Sequence, residues 1–501
     1  MTLMPSTRNA PPHAGAMLEA LRGLGYSTAA ALADIVDNSI SAGATEVRIH
    51  FVWAGEASRM TVLDNGRGMD DADLERAMTL GDKNPLTARA ENDLGRFGMG
   101  LKTASFSQCR RLTVASQTEG NARCCLRWDL DAIAADPSGG WLLFEGAAAG
   151  SADFLAPLAA QASGTLVLWE CLDRVVTAEY TADHFCDLID NIEKRLAMVF
   201  HRLLETPEEG EPALTLFLND HPVKPWDPFL CGHPAKPWHS PSAKKMTPAG
   251  MVAVECHVLP HRDAFSEPEY EAAGGPEGWT AQQGFYVYRN GRLLVAGGWL
   301  GLGKGKAWHR EESQRLARIR LDIPNTADMD WKIDIRKATA RIPVALRPWL
   351  TKLAEDARTR ARHVFAHRGS PQPRKKGEVL AQAWRTETTR TGVRYRIDEN
   401  HPAIAGALES ASGTLRPLLK AMLRVIEETV PVQRIWLDTA EHKDTPRTGF
   451  SGEPSAEVQA VLATLYNNLL QRGISAAAAK RTLAHTEPFQ GFPELVAALP
   501  E

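Results

Sequence analysis

The chain has 501 residues, 44% of them hydrophobic and 24% charged, with a net charge of −4, the balance of an ordinary globular protein of about two to four domains. No apolar run reaches the roughly 18 residues of a membrane-crossing helix, and residues 1–17 lack the apolar core of a signal peptide. Seven cysteines without a C-x-x-C pair read as reduced thiols of a cytoplasmic protein, and the acidic balance leaves only a local basic patch as a route to nucleic acid.

Residues 1–24 form a candidate N-terminal arm, with a short helix from Ala16 to Leu24. Ala29–Ala42 has helical periodicity, with Leu32, Ile35, Val36 and Ile40 as its apolar stripe. Asp34, Asp37 and Asn38 stand at i, i+3 and i+4 and share the opposite face. Two carboxylates and a carboxamide are ligands that suit Mg²⁺, and a carboxylate there can orient or deprotonate a water. The alternative is an ordinary solvated face. A strand follows over Thr45–Val52, and a second over Arg59–Leu63 runs into Asp64-Asn-Gly-Arg-Gly68. Asp64 after a buried strand can accept a hydrogen bond from an amino group, and Gly66 and Gly68 permit close approach of a flat ligand. A hairpin turn at Asn65-Gly66 competes with that reading. Asp70–Thr79 reads as a helix. Gly95, Gly98 and Gly100 lead into another at Leu101–Ser107, which offers free backbone N–H groups to phosphate. Their G-x-x-G-x-G spacing is neither the dinucleotide fingerprint nor a P-loop.

Strands are expected at Arg111–Gln117, Ala122–Asp129, Trp141–Glu145 and Gly164–Trp169, then a long amphipathic helix at Ala182–Leu204. Gly210-Glu-Pro212 marks a boundary. Beyond it, Leu214–Leu218, Ala253–Leu259, Gly284–Tyr288 and Ala317–Ile323 are strand candidates, with a hairpin turn at Asn290-Gly291. Pro260–Gly278 reads as a loop. Gly301–Lys306 is a glycine–lysine loop without the context of a P-loop, and a candidate DNA contact. Residues 367–377 read as a linker. Residues 378–501 read as mostly helical, with segments at Ile404–Glu409, Leu415–Glu428, Ser455–Arg472 and Ala476–Leu483 and a surface suited to a partner protein.

In this order the polar islands resemble the GHKL ATPases, the family of gyrase B subunits, heat-shock chaperone ATPases, histidine kinases and MutL, and within it the MORC-like and MutL-like branch. Asp34–Asn38 (DIVDN) is similar to the first motif box, Asp64–Met69 (DNGRGM) to the first glycine box, and Gly95–Ser105 (GRFGMGLKTAS) to the second. Gly164-Thr165 is similar to a short Gly-Thr box, and Leu80–Lys83 is placed like the lid segment, which with the polar stretch Asn84–Asp93 would form a lid over the nucleotide at residues 80–93, where the alternative is an ordinary surface loop. The resemblance implies an α+β fold. A GHKL ATP-binding α/β sandwich would span 25–209, a transducer-like α/β domain 210–366, and a mostly helical region 378–501. It implies ATP and Mg²⁺ as ligands, with Asn38 on the metal and Asp64 on the adenine amino group. Gly66, Gly68, Met69, Lys83, Gly95, Gly98, Met99, Gly100, Leu101, Lys102 and Thr165 would surround the nucleotide. Asp34 would be the general base, where the family usually carries Glu, a side chain about 1.5 Å longer. From Trp331–Lys337 a lysine would enter the neighbouring ATP site, with Lys337 the candidate for the γ-phosphate and Lys332 its competitor.

Three functions follow as expectations. The first is a slow ATPase that forms a homodimer on ATP and works as a clamp or switch in a DNA-directed system of the phage-defence or restriction kind. The second is an ATP-binding scaffold with little hydrolysis. The third is a histidine-kinase-type phosphotransferase, which has no His-Glu-x-x-x-Pro helix to act on.

Overall fold

Helix α1 (Ala14–Arg22) is the first element of the computed structural model, which describes residues 12–81, 99–206, 213–328, 330–334, 337, 339–366, 381–389, 392–435, 456–489 and 492–500. It buries Ala14, Leu18 and Arg22, and Arg22 Nε donates to the Phe106 carbonyl at 2.8 Å. This part of the expected arm docks on its own chain, because Arg22 finds a buried acceptor there. Residues 1–11 lie outside the described set.

Helix α2 (Thr28–Ser41) starts at Ser27, whose hydroxyl accepts from the Ala30 N–H and so caps a free donor. Strands β1 (Glu46–Val52) and β2 (Arg59–Asp64) alternate in burial over most of their length. Helices α3 (Asp71–Met78), α4 (Gly100–Phe106) and α5 (Leu130–Ala135) and strands β3 (Arg111–Gln117), β4 (Cys124–Asp129), β5 (Phe144–Glu145) and β6 (Gly164–Glu170) follow. Next come α6 (Ala182–Val199), α7 (His201–Leu204), β7 (Thr215–Leu218) and β8 (His221–Pro222). The strands form one eight-stranded sheet in the order β5-β4-β3-β6-β2-β1-β7-β8. Its pairs are antiparallel except β1–β7. One core packs Leu32, Ile35 and Val36 of α2 with Phe106 of α4 and Ile192 and Leu196 of α6. A smaller cluster sets Leu155 and Leu158 against Leu63, Ala115, Leu166 and Leu168.

Several expectations shift. The strand at Trp141–Glu145 shortens to β5. The helix at 182–204 breaks at Phe200, which leaves helical geometry at φ −107, ψ 9 and is fully buried. The strand assigned beyond the 210 boundary is β7, and it belongs to the first sheet because Leu214, Leu216 and Leu218 enter that core. The boundary residues 207–212 are outside the described set.

A second sheet in the same unit has the order β10-β11-β14-β12-β13, with β9 beside β11. Its strands are β9 (Trp238–His239), β10 (Ala243–Thr247), β11 (Gly250–Val258), β12 (Gly284–Arg289), β13 (Arg292–Ala296) and β14 (Ala317–Asp322). The turn between β12 and β13 puts Asn290 at φ 48 and Gly291 at φ 78, as a tight hairpin requires. The segment read as a loop contains α8 (Glu267–Gly274), because Ser266 and Glu269 form a reciprocal capping box. Helix α9 (Arg347–Ala366) covers this sheet with Leu350, Ala354, Ala357 and Ala361. Met198 of α6 packs with Phe229, Tyr286, Tyr288 and Leu293, and His201 bonds the Tyr288 hydroxyl at 2.7 Å. These contacts fix the β12–β13 hairpin against α6 and α7.

Residues 1–370 and 371–501 form separate units. The second holds helices at Pro402–Ser410, Leu415–Thr429, Ala456–Gln471, Ala476–Ala484 and Pro493–Ala497. It also holds an unexpected antiparallel hairpin, Trp384–Thr389 with Gly392–Ile397. The expected linker 367–377 lies outside the described residues. Among the described residues no helix is long and apolar enough to cross a membrane.

Candidate functional site

Asp64 ends β2 in a row of three strands, opposite Thr165 of β6, which lies opposite Ser116 of β3. It is 6% exposed. Ser39 Oγ of α2 donates to Oδ2 at 2.8 Å, and the Gly66 N–H donates to Oδ1 at 2.9 Å. Burial pushes this carboxyl above its usual range, against the pull of the Gly66, Ser39 and Thr165 donors. Ser116 links the row to the loop: it bonds Thr165 Oγ1 at 2.8 Å and accepts from the Met69 N–H at 2.9 Å. Gly68 sits at φ +69, where a Cβ would lie 1.9 Å from the Gln117 carbonyl oxygen. A Cβ on Gly66 would meet Ala42 and the Asp64 carboxylate at about 3 Å. Both glycines are thus required by crowding, and they leave a backbone-lined wall next to Asp64.

Asp34 and Asp37 on α2 are 2% and 1% exposed, whereas Asn38 is exposed. The three residues therefore do not share one solvated face, because two cations arrive from the second sheet's side of the unit. Lys337 Nζ donates to Asp34 Oδ1 at 3.0 Å and also to Asp37 Oδ2. Arg292, the first residue of β13, donates from Nε to Asp37 Oδ1 at 3.1 Å. Burial alone would raise the Asp37 carboxyl, but the charges of Arg292 and Lys337 hold it below its usual value. Tyr26 donates its hydroxyl to Asp34 Oδ2 at 3.0 Å. Burial and the Asp34 charge push that phenol upward, so it stays a donor. Both Asp34 oxygens are thus oriented. Lys337 is held at φ 53, a left-handed backbone that is uncommon for a side-chain-bearing residue.

The remaining candidates sort by position. Met69, Met99, Gly100 and Leu101 are half-buried, and Thr165 is buried beside Asp64. A Cβ on Gly100 would lie 3.9 Å from Asp34 Oδ2, so the start of α4 borders the carboxylates. Lys102 departs from expectation. It is 2% exposed, and its ammonium donates to the Ala77 and Thr79 carbonyls at 2.7 and 2.8 Å. Those oxygens are the unsatisfied acceptors at the end of α3, and they attract a cation. Lys332 is exposed, and among the described residues the carboxylates' ion pairs are with Lys337 and Arg292. Lys83, Gly95 and Gly98, with most of the expected lid 80–93, lie outside the described residues.

Arg292 and Tyr26 escaped the sequence reading. The only trace of Arg292 is a cation between the Asn290-Gly291 turn and the apolar run Leu293-Leu294-Val295. Tyr26 carries no local signal.

Residues 26–165 match the family described as histidine kinase-, DNA gyrase B-, and HSP90-like ATPases. Residues 26–165 thus form a GHKL-type ATPase domain, and the sequence is similar to MORC and MutL proteins. Over 90 residues it is 30% identical to ATPase morc-1 of Caenorhabditis elegans, covering 18% of this chain and 10% of that protein. Over 95 residues it is 35% identical to the DNA mismatch repair protein MutL of Rhizobium leguminosarum bv. trifolii, covering 19% of this chain and 16% of that protein. Over 98 residues it is 34% identical to the MutL of Rhizobium rhizogenes, covering 19% and 15%. The matches span less than a fifth of each relative's length. The GHKL domain includes the Asp64 row and the α2 carboxylates, while Arg292 and Lys337 lie beyond the matched residues.

Proposed function

We propose that the chain binds ATP with Mg²⁺ and hydrolyses it slowly, and that ATP binding drives a dimer that acts as a clamp or switch. The observation that carries this reading is Lys337. It crosses from a segment some 300 residues away to within 3.0 Å of Asp34, the carboxylate in the family's general-base position. In that position a lysine can move from the carboxylates to a γ-phosphate and offset the charge that develops there. Asp34 can then accept a proton from the attacking water, with Tyr26 holding its other oxygen. Asp64 would accept from the adenine amino group beside the Gly66–Gly68 wall. The donor set fits Mg²⁺: Asn38 offers an exposed carboxamide oxygen next to the buried carboxylates, and Mg²⁺ prefers few protein ligands plus phosphates and waters. When bound, the ion would neutralise phosphate charge. Work on DNA, as the relatives' mismatch-repair name suggests, in the cytoplasm and with a partner on residues 378–501, is the wider form of the proposal.

A second reading, an ATP-binding scaffold with little turnover, is favoured by one observation. Both Asp34 oxygens are already engaged, by Tyr26 and Lys337. Steady-state phosphate release separates the two. The ATPase reading expects Asp34→Asn to bind ATP and lose turnover by about 100-fold or more. Sizing with a non-hydrolysable ATP analogue, with and without duplex DNA, tests the dimer. A monomer under every condition would remove the clamp.

A further inference from the structure

The proposed chemistry gives no task to the buried arginine beside the α2 carboxylates. Arg292 is 4% exposed. Its Nε donates to Asp37 Oδ1 at 3.1 Å, its Nη2 lies 3.9 Å from Asp34 Oδ1, and its Nη1 donates to the Leu293 carbonyl at 2.8 Å. Three directions of restraint fix the guanidinium, and the hairpin behind it is anchored through Tyr288 and Leu293. An arginine keeps its charge in such a site. Lys337 differs. Its side chain is a flexible stem, 11% exposed, and its ammonium touches both carboxylates.

We infer that Arg292 is a positioning residue that frees Lys337 to change partners. This rests on Lys337 and Asp34 acting on ATP as proposed above. A lysine that turns to a phosphate leaves two buried carboxylates behind. A buried charge without a partner is strongly disfavoured, so Asp37 alone would retain the lysine. With Arg292 in place Asp37 stays paired, and departure of Lys337 leaves the Asp34 oxygen that must meet the water with only the long Arg292 Nη2 contact at 3.9 Å. The converse holds for Asp37. It occupies Arg292, which otherwise lies close enough to Asp34 to pair with the base and neutralise it. The two side chains form a matched set in which either one alone obstructs the reaction.

The test is a double-mutant cycle on the full chain, read by steady-state phosphate release and by ATP affinity. The variants are Arg292→Gln, Asp37→Asn, their combination, Arg292→Lys and, as reference, Lys337→Ala. Arg292→Gln and Asp37→Asn should each lower turnover by about 100-fold, the cost of misplacing a reacting group, with ATP affinity within about 3-fold of wild type. The combination should be at least about 10-fold faster than either single change, a coupling that independent damage does not produce. Arg292→Lys should fall between Arg292→Gln and wild type. A combination no faster than the singles, or an Arg292→Gln protein with wild-type turnover, overturns the inference and leaves Arg292 as packing. Thermal melting identifies a variant that has lost its fold, and Arg292→Lys, which keeps the charge, then carries the comparison. A wild type without turnover, or an undiminished Lys337→Ala, overturns the ATPase reading and this inference with it. A slow Lys337→Ala together with an uncoupled cycle overturns this inference alone.

Discussion

Asp64 and Asp37 are both nearly sealed from water, at 6% and 1% exposed, yet they are stabilised in opposite ways. Asp64 is held by neutral donors from the GHKL domain, and its carboxyl is pushed up by burial. Asp37 is held by two cations, from Arg292 and Lys337, and its carboxyl is pulled down despite burial. The first site is complete within one sheet and one helix. The second exists only when a hairpin and a loop from the second half of the unit reach back to α2. On the proposed reading a ligand site is built early in the chain, while its chemistry waits for residues that arrive some 250 to 300 positions later.

The largest expected effect breaks the long-range half. Lys337→Ala should lower turnover about 1000-fold, as loss of a charge that stabilises the transition state does, with ATP still bound. Phosphate release and equilibrium binding measured together check this. Next, Asp37→Asn should destabilise the fold by about 3 kcal/mol, because it leaves two cations beside one carboxylate. Urea denaturation reads it, and an unchanged midpoint would mean that the cations find water instead.

Asp64→Asn should have the opposite sign and gain about 1 kcal/mol near neutral pH, by removing a buried charge that lacks a cation. An amide can keep the Gly66 and Ser39 bonds if its oxygen accepts from Gly66 and its nitrogen donates to Ser39 Oγ, which already faces the Ile35 carbonyl at 3.4 Å. The pH dependence follows from the raised folded-state pKa. The wild-type carboxyl favours folding when protonated, so its contribution is complete below the unfolded carboxylate range and is lost as pH rises through the folded value. The advantage of the variant should therefore vanish below about pH 4 and grow toward neutrality. The same variant should lose ATP binding, separating stability from function at one residue. The smallest effect is that of Lys332→Ala. An exposed lysine should change stability by less than about 0.5 kcal/mol, and with Lys337 on the carboxylates its loss should leave turnover at the wild-type level.

The same contrast explains what the sequence could disclose. The Asp64 row and α2 lie within short motifs whose residue types are dictated by crowding, as at Gly68, so they stand out from the background. Strand β3 was readable to its ends because a short apolar and β-branched run, Leu112-Thr-Val-Ala115, is bounded by polar Arg111 and Gln117. Arg292 was not readable, since nothing local distinguishes a cation after a hairpin turn from a surface one. The burial of Asp34 and Asp37 was hidden for the same reason: a polar helix face looks alike whether water or a distant cation covers it. Lys102 sits in the glycine-box motif, but the open carbonyls at the end of α3 take its ammonium, a competition visible only in three dimensions. Helix α8 was masked by its prolines and glycines, although Ser266 and Glu269 carried its capping signature. Helix α9 was missed because Arg358 and the other cations interrupt its apolar positions. The hairpin at Trp384–Ile397 was missed because its strands are mostly polar.

The parallel seat of β7 on β1 has a consequence for handling and for biogenesis. β1 carries β2 on one edge and β7 on the other. A nascent chain that has emerged only as far as α6 presents the second edge of β1 bare, a run of open N–H and C=O groups that invites pairing between chains. An excised nucleotide-binding fragment that stops at the glycine–proline boundary near 210 would retain that sticky margin, while one carried through Pro222 would close it with the molecule's own β7–β8 hairpin.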